Sequence, residues 1–279
     1  GSVIFGCRLN IEQQGDEPLR AQITLSDGDQ TIFKKKLKAD AIRNFSTTIK
    51  EPQLWWPNGL GDQHLYTLKV ELQDGRKQPL NTITKRIGLR TIDLVRELDE
   101  WGESFYFRCN GVPFFAKGAN WIPADIFNEW TTPERYRQLL TDAADAHMNM
   151  LRVWGGGIYE DDLFYDLCDE LGICIWQDFM FACATYPTFD DEFMDTVSAE
   201  ARDNIKRIRH HASLALWCGN NEIEQGLVAD TWTATTMSWA DYAKLFEKLL
   251  PSLVSELDPS TPYWPGSPHS PMRNREAWN

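Results

Sequence analysis

Hydrophobic and polar positions follow one rhythm through the first third of the chain and another through the rest. Residues 21–25 (Ala-Gln-Ile-Thr-Leu) alternate, 26–29 turn, and 31–37 return with alternation of their own, the pattern of a β-hairpin. Tyr66, Leu68, Val70 and Leu72 fall on one face of a strand and Thr67, Lys69 and Glu71 on the other, and Asp74-Gly75 ends it. Between these stretches Pro57 and Asn58-Gly59 impose a turn directly after Trp55 and Trp56. Short strands at this spacing predict an antiparallel β-sandwich over residues 1–95.

From about residue 96 the period changes. A hairpin over 104–109 turns at Asn110-Gly111 and leads into an apolar run over 114–120. Pro133, with Thr132 as N-cap, opens a helix to about His147. A strand over 150–154 precedes an amphipathic helix over 159–171, whose stripe is Leu163, Phe164, Leu167 and Leu171. A strand over 173–178, a charged helix over 190–210, a strand over 214–218, a helix over 238–257 and a strand over 263–265 complete five strand units. Repeated strand-then-helix units predict a parallel sheet, open or closed into a barrel. Gly155, Gly156 and Gly157 have the wrong spacing and place for a dinucleotide loop; they are expected to let the chain pass close to a ligand or to Trp154.

Composition narrows the partners. A formal net charge of −13 over 279 residues disfavours nucleic acid and anionic membrane surfaces, both of which need basic patches. An uncharged substrate fits better, and twelve Trp include flat faces suited to sugar rings, although most of them belong to the core. The six Cys show no C-x-x-C or paired His spacing, which favours free thiols in a reducing compartment and no metal. There is no run of eighteen apolar residues and no leader peptide, so the location, cytoplasmic or periplasmic in a bacterium, stays open. Gly1-Ser2 reads as a cloning scar.

The apolar runs finish on residues that would face one rim: Asn120 and Trp121, then Arg152 and Trp154, then Gln177 and Asp178, then Asn220, Asn221 and Glu222, then Ser267 to His269. An Arg, two carboxylates, several amides and Trp side chains describe a site for a hydroxyl-rich neutral ligand. Glycoside hydrolysis needs a protonated carboxylic acid beside the leaving oxygen and a second carboxylate at the anomeric carbon. Glu222 suits the acid, with partial burial expected to favour its protonated form. Asp178 could serve as nucleophile, hold a hydroxyl or orient a neighbour. Arg152 is expected to pair with a site carboxylate, and Glu224 to be structural.

The stretches Leu-Trp-Trp-Pro-Asn-Gly (54–59), Lys-Gly-Ala-Asn-Trp-Ile-Pro (117–123), Asn-Met-Leu-Arg-Val-Trp-Gly-Gly-Gly (149–157), Trp-Gln-Asp-Phe-Met-Phe-Ala (176–182) and Trp-Cys-Gly-Asn-Asn-Glu (217–222) together resemble glycoside hydrolase family 2, and within it the β-mannosidases. That resemblance implies an immunoglobulin-like β-sandwich over 1–95 and the first strands of a (β/α)8 TIM barrel over 96–279, no cofactor, and an oligosaccharide substrate ending in β-mannose. It implies Glu222 as acid/base, Asn221 as the amide on the sugar 2-hydroxyl, and Arg152, Trp154 and Asp178 as site-lining residues, to which the strand-end pattern adds Asn120 and Trp121 as substrate-binding candidates. β-Galactosidase or β-glucuronidase activity, or a non-catalytic carbohydrate-binding module, are the alternatives. The family's nucleophile is a Glu on a later strand and its members begin with a further sandwich domain, so this chain is expected to be an inactive piece whose open barrel edges favour self-association.

Overall fold

In the computed structural model the described residues are 1–7, 9, 11, 13–15, 18–38, 45–229, 233 and 236–270. Residues 271–279 of the predicted barrel portion lie outside them. The chain divides into two compact units, Gly1–Trp56 with Gly61–Arg90, and Pro57–Leu60 with Thr91–Asn279.

Alternation in the first unit becomes two antiparallel sheets. Strand β1 (Ser2–Cys7) pairs with β4 (Phe45–Lys50), and β2 (Arg20–Asp27), β3 (Gln30–Lys38), β5 (Tyr66–Gln73) and β6 (Pro79–Ile87) form a second sheet in the order β3-β2-β5-β6. The expected hairpin is β2–β3, turning through Gly28 at φ +53°. Ile23, Leu25, Tyr66 and Val70 of the larger sheet share one core with Phe5, Phe45 and Ile49 of the smaller. Phe33 joins the two, its ring centroid 5.6 Å from Phe5 and 5.8 Å from Phe45. Each such side chain withdrawn from water contributes about 1.5–3 kcal/mol, which is what holds two small sheets face to face.

The second unit opens with a small antiparallel sheet, β7 (Ile92–Val95), β8 (Tyr106–Cys109) and β9 (Val112–Phe114). The β8–β9 turn has Asn110 at φ +49° and Gly111 at φ +83°, the two left-handed positions that an Asn-Gly pair accepts. Since β7 pairs with β8, the change of unit falls at Arg90–Thr91 rather than at 95–96. Five parallel strands follow in sequence order: β10 (Gly118–Trp121), β11 (Met150–Val153), β12 (Cys174–Asp178), β13 (Leu214–Cys218) and β14 (Tyr263–Trp264). Among the described residues the sheet does not close, and Gly118, Ala119 and Asn120 of edge strand β10 are exposed.

The helices start where capping side chains stand. Thr132 accepts from the Arg135 N–H at the head of α1 (Pro133–Asp145), Asp161 from the Leu163 N–H at α2 (Asp162–Leu171), and Asp190 from two N–H groups at α3 (Asp191–Ile208). Asp161 explains why α2 begins at Asp162 rather than at residue 159. A short α4 (Ile223–Val228) follows β13. The single helix expected over 238–257 is instead α5 (Trp239–Tyr242), a π-helical stretch Ala243–Leu249 and α6 (Leu250–Leu257). The register returns to α just before Pro251, which has no N–H with which to continue a ladder. No helix among the described residues is long and apolar enough to cross a membrane.

Strand register decides which side chains face the helices. Trp121, Val153, Gln177, Trp217 and Tyr263 are successive cross-strand partners, and Val153 and Trp217 belong to the core shared with Phe164, Ile205, Phe246 and Val254 of the helices. The alternate row, Asn120, Arg152 and Trp176, continued one pleat on by Asp178, Cys218 and Trp264, must therefore face the other way. Phe105 covers part of that face, its ring 6.0 Å from Trp176 and 5.0 Å from Trp264.

Candidate active site

Arg152 is the hub of the inner face. Its Nε and Nη2 donate to Asp178 Oδ1 (3.2 Å) and Oδ2 (2.8 Å), Nη2 donates also to Asn221 Oδ1 (2.8 Å), and Nη1 donates to Asn120 Oδ1 (3.2 Å). Four strand ends are thereby tied through one guanidinium, whose fixed fork suits such bridging. Asp178 is fully buried and accepts two further bonds, from the Gly155 N–H (3.0 Å) and the Trp176 indole N–H (3.1 Å). Burial raises its carboxyl above the ordinary carboxylate value, and Arg152 works against that rise. With four N–H donors on two oxygens, Asp178 is occupied in orienting Arg152 and the 155 loop.

The glycines serve that loop. A Cβ on Gly155 would stand 2.6 Å from the Phe181 carbonyl oxygen, and one on Gly156 would stand 2.0 Å from the six-membered ring of Trp154. The half-buried Trp154 indole thus lies flat over Gly156, the close approach that the triple glycine was expected to permit.

Past β13 the chain presents Asn220, Asn221 and Glu222. Asn220 is buried and structural, donating to the Pro265 carbonyl (2.8 Å) and accepting from the Ile223 N–H (3.1 Å). Asn221 backs onto the continuation of β12, its N–H donating to the Phe181 carbonyl (2.9 Å), while its side chain reaches Arg152. Glu222 has a left-handed backbone, φ +64°, and its N–H donates to the Ser267 carbonyl (3.1 Å). Its side chain is exposed among the described residues, where partial burial was expected from the sequence. The Cys183 thiol donates to Glu222 Oε2 at 3.3 Å.

Trp121 is a second correction. It sits in the helix-facing row, donates its indole N–H to Glu160 Oε1 (2.8 Å), stacks on Tyr136 and packs tilted against Phe164, so the register turns it away from the Arg152 group. Sequence reasoning also passed over two pairs. One is Cys183 with Glu222, where the motif over 176–182 stops one residue short. The other is Glu224 with His269: Glu224 is buried, accepts from Tyr242 Oη (3.1 Å) and the Ser270 N–H (3.1 Å), and lies 2.5 Å from His269 Nδ1. None of the six Cys is in a disulfide, and four of them are buried. Asp166, Asp169 and His211 bring ligand atoms within 4.8 Å of one another, but Asp169 is engaged by His211 Nδ1 (2.8 Å) and the Ser213 N–H (2.7 Å).

Residues 2–90 match the family model described as glycosyl hydrolases family 2. Similarity to relatives runs on through the second unit: "Beta-mannosidase B" of Emericella nidulans is 42% identical over 269 residues, 92% of this chain and 32% of the relative. Residues 2–90 thus carry a glycosyl hydrolases family 2 domain. Among solved structures, a β-D-mannosidase from Dictyoglomus thermophilum superposes with a TM-score of 0.86 at 42% identity, covering 98% of this chain and 33% of that one. A Parabacteroides merdae β-glucuronidase of the same fold is 20% identical with a TM-score of 0.66, covering 88% of this chain and 29% of that one. The chain therefore spans about one third of the length of the relatives it matches.

Proposed function

We propose that this chain carries the proton donor of a retaining β-mannosidase that releases terminal β-D-mannose from the non-reducing ends of oligosaccharides. In this reading the first unit is the immunoglobulin-like sandwich of the family and the second is the N-terminal part of a (β/α)8 barrel, with the inner row at the mouth. The sugar assignment rests on the 42% identity to "Beta-mannosidase B", which extends over both units.

Chemically, Glu222 protonates the departing glycosidic oxygen and then, as a carboxylate, takes a proton from the water that attacks the glycosyl-enzyme. Asn221, fixed by Arg152, offers its amide to the sugar 2-hydroxyl. Trp154 supplies an apolar face for the ring, and Asn120 and Arg152 supply hydrogen bonds. Asp178 orients Arg152 and is a poor nucleophile, because its oxygens already accept four N–H bonds. The second carboxylate, about 5–5.5 Å from the acid in retaining enzymes, is assigned to a glutamate outside these residues.

A panel of aryl β-mannoside, β-galactoside, β-glucoside and β-glucuronide, offered to the full-length enzyme, tests the reading. Preference for the mannoside by at least tenfold in kcat/KM is expected. Preference for the glucuronide or galactoside would contradict it.

A further inference from the structure

The thiol of Cys183 has no role in the chemistry above, yet it touches the residue on which that chemistry depends. The segment 181–183 runs on beyond β12 and pairs with the segment beyond β13: Asn221 N–H donates to the Phe181 carbonyl (2.9 Å), Cys183 N–H to the Asn221 carbonyl (3.2 Å), and Ala182 bridges Asn221 in parallel register. This register sets the sulfur between two side chains. The thiol lies 3.3 Å from Glu222 Oε2, and Asn221 Nδ2 donates to the sulfur at 3.3 Å. Both Cys183 (φ +44°) and Glu222 (φ +64°) adopt left-handed backbone conformations that side-chain-bearing residues seldom take. Two such residues in contact mark a local geometry held against its own cost, as at sites where orientation matters.

Glu222 needs a restraint. Its side chain is exposed, and among the described residues the thiol is the only side chain hydrogen-bonded to its carboxylate. An unrestrained glutamate spreads over many rotamers, whereas a general acid must sit within hydrogen-bond reach of the leaving oxygen. We propose that Cys183 is a positioning residue for the Glu222 proton donor, its S–H holding one carboxylate oxygen while its sulfur accepts the Asn221 amide, so that Glu222 is linked through Asn221 to Arg152 and Asp178. The proposal rests on the acid/base reading of Glu222.

Cysteine is suited to this. Its S–H is a weak donor and its sulfur a weak acceptor, so it can restrain Glu222 and still yield when a proton moves. Burial, with the Glu222 carboxylate adding to it, pushes the Cys183 thiol up, which keeps the S–H in place at neutral pH. Arg152 is paired with Asp178, and His269 with Glu224, whereas the thiol contact can be removed by a single substitution without unbalancing charge.

The test compares Cys183→Ala, Cys183→Ser and Glu222→Gln in the full-length enzyme, through the pH profile of kcat/KM on an aryl β-mannoside with a poor leaving group. A donor to a carboxylate favours its charged form, so losing it strengthens proton binding and moves the alkaline limb upward. The expected shift for Cys183→Ala is about half a pH unit, a threefold change in proton affinity. Cys183→Ser, which keeps a hydroxyl donor, brings the limb back toward its original place; a purely structural role for Cys183 moves stability and not the limb. A Cys183→Ala profile superimposable on the parent overturns the proposal.

Survival of the alkaline limb in Glu222→Gln would instead remove the acid/base reading itself. The contact is then judged separately, by alkylation of Cys183 with iodoacetamide followed by mass spectrometry. If the thiol donates to Glu222, Glu222→Gln speeds alkylation at pH 7.5 by about threefold, because the anion that holds the proton on sulfur is gone. An unchanged rate would show that the thiol and carboxylate do not interact.

Discussion

Replacing Asp178 with Asn tests how much the inner face depends on the buried Arg152–Asp178 ion pair. The side chain keeps its shape but loses its charge, and an NH2 replaces one of two oxygens that together accept from Arg152 Nε, Arg152 Nη2, Gly155 N–H and Trp176 Nε1–H. At least one of those donors then faces another donor. The Asp178 side chain is 0% exposed and that of Arg152 17%, so solvent does little to make good the loss. Breaking one side of such a pair costs about 3–5 kcal/mol. For a cooperative unit of this size that corresponds to about 6–20 °C in Tm. Urea unfolding followed by Trp fluorescence, cross-checked by circular dichroism for coincident transitions, measures it. Arg152→Met should cost a comparable amount by leaving Asp178 buried without a cation, and the double variant should cost clearly less than the sum. A loss below 1 kcal/mol for Asp178→Asn, or strict additivity in the cycle, would refute the role given to the pair.

Four further outcomes can be checked. Gly156→Ala places a methyl 2.0 Å from the Trp154 ring, so the indole must move; the near-ultraviolet circular dichroism should change, and KM for an aryl β-mannoside should rise by about tenfold if stacking is worth near 1.4 kcal/mol. Ser238→Ala removes half of the capping box on α5 and should cost about 1 kcal/mol in denaturant unfolding. The Ser238 hydroxyl, its backbone N–H and the Thr188 hydroxyl hold the Asp241 carboxyl below its ordinary value; its contribution is therefore present above the unfolded pKa and lost as pH falls through the lower folded one. The stability gap between wild type and Asp241→Asn should accordingly narrow on acidification, and a gap that widens would reverse the sign. Finally, the 279-residue chain alone should show no appreciable turnover of an aryl β-mannoside; turnover abolished by Glu222→Gln would require a nucleophile within it.

How much was legible in the sequence varied with the range of the interaction. Strand β13, the β8–β9 turn and the cap of α1 follow from a few adjacent residues, and the structure has each where its local pattern puts it. Trp121 shows the limit of strand-end reasoning, since a rim position does not say which face a residue takes; pairing Trp121 with Val153 rather than Arg152 decides that, and register is a tertiary property. The helix over 238–257 looked continuous because its apolar stripe is, and only Pro251 hinted at the π-helical interruption before it. Arg152 was expected to meet a carboxylate, but that it would join four strand ends needed the parallel order of β10 to β13. The thiol beside Glu222 was invisible for the same reason, since Cys183 and Glu222 are distant in sequence and meet only because two strand extensions pair.

The most direct measurement is the leaving-group dependence of Glu222→Gln in the full-length enzyme. Without its acid, the enzyme should lose about 10²–10⁴-fold in kcat/KM on an alkyl or unactivated aryl β-mannoside, and far less on a dinitrophenyl β-mannoside whose leaving group needs no proton. Added azide should then raise turnover of the activated substrate and yield β-mannosyl azide. An equal loss on both substrates, with no azide product, would contradict Glu222 as the proton donor.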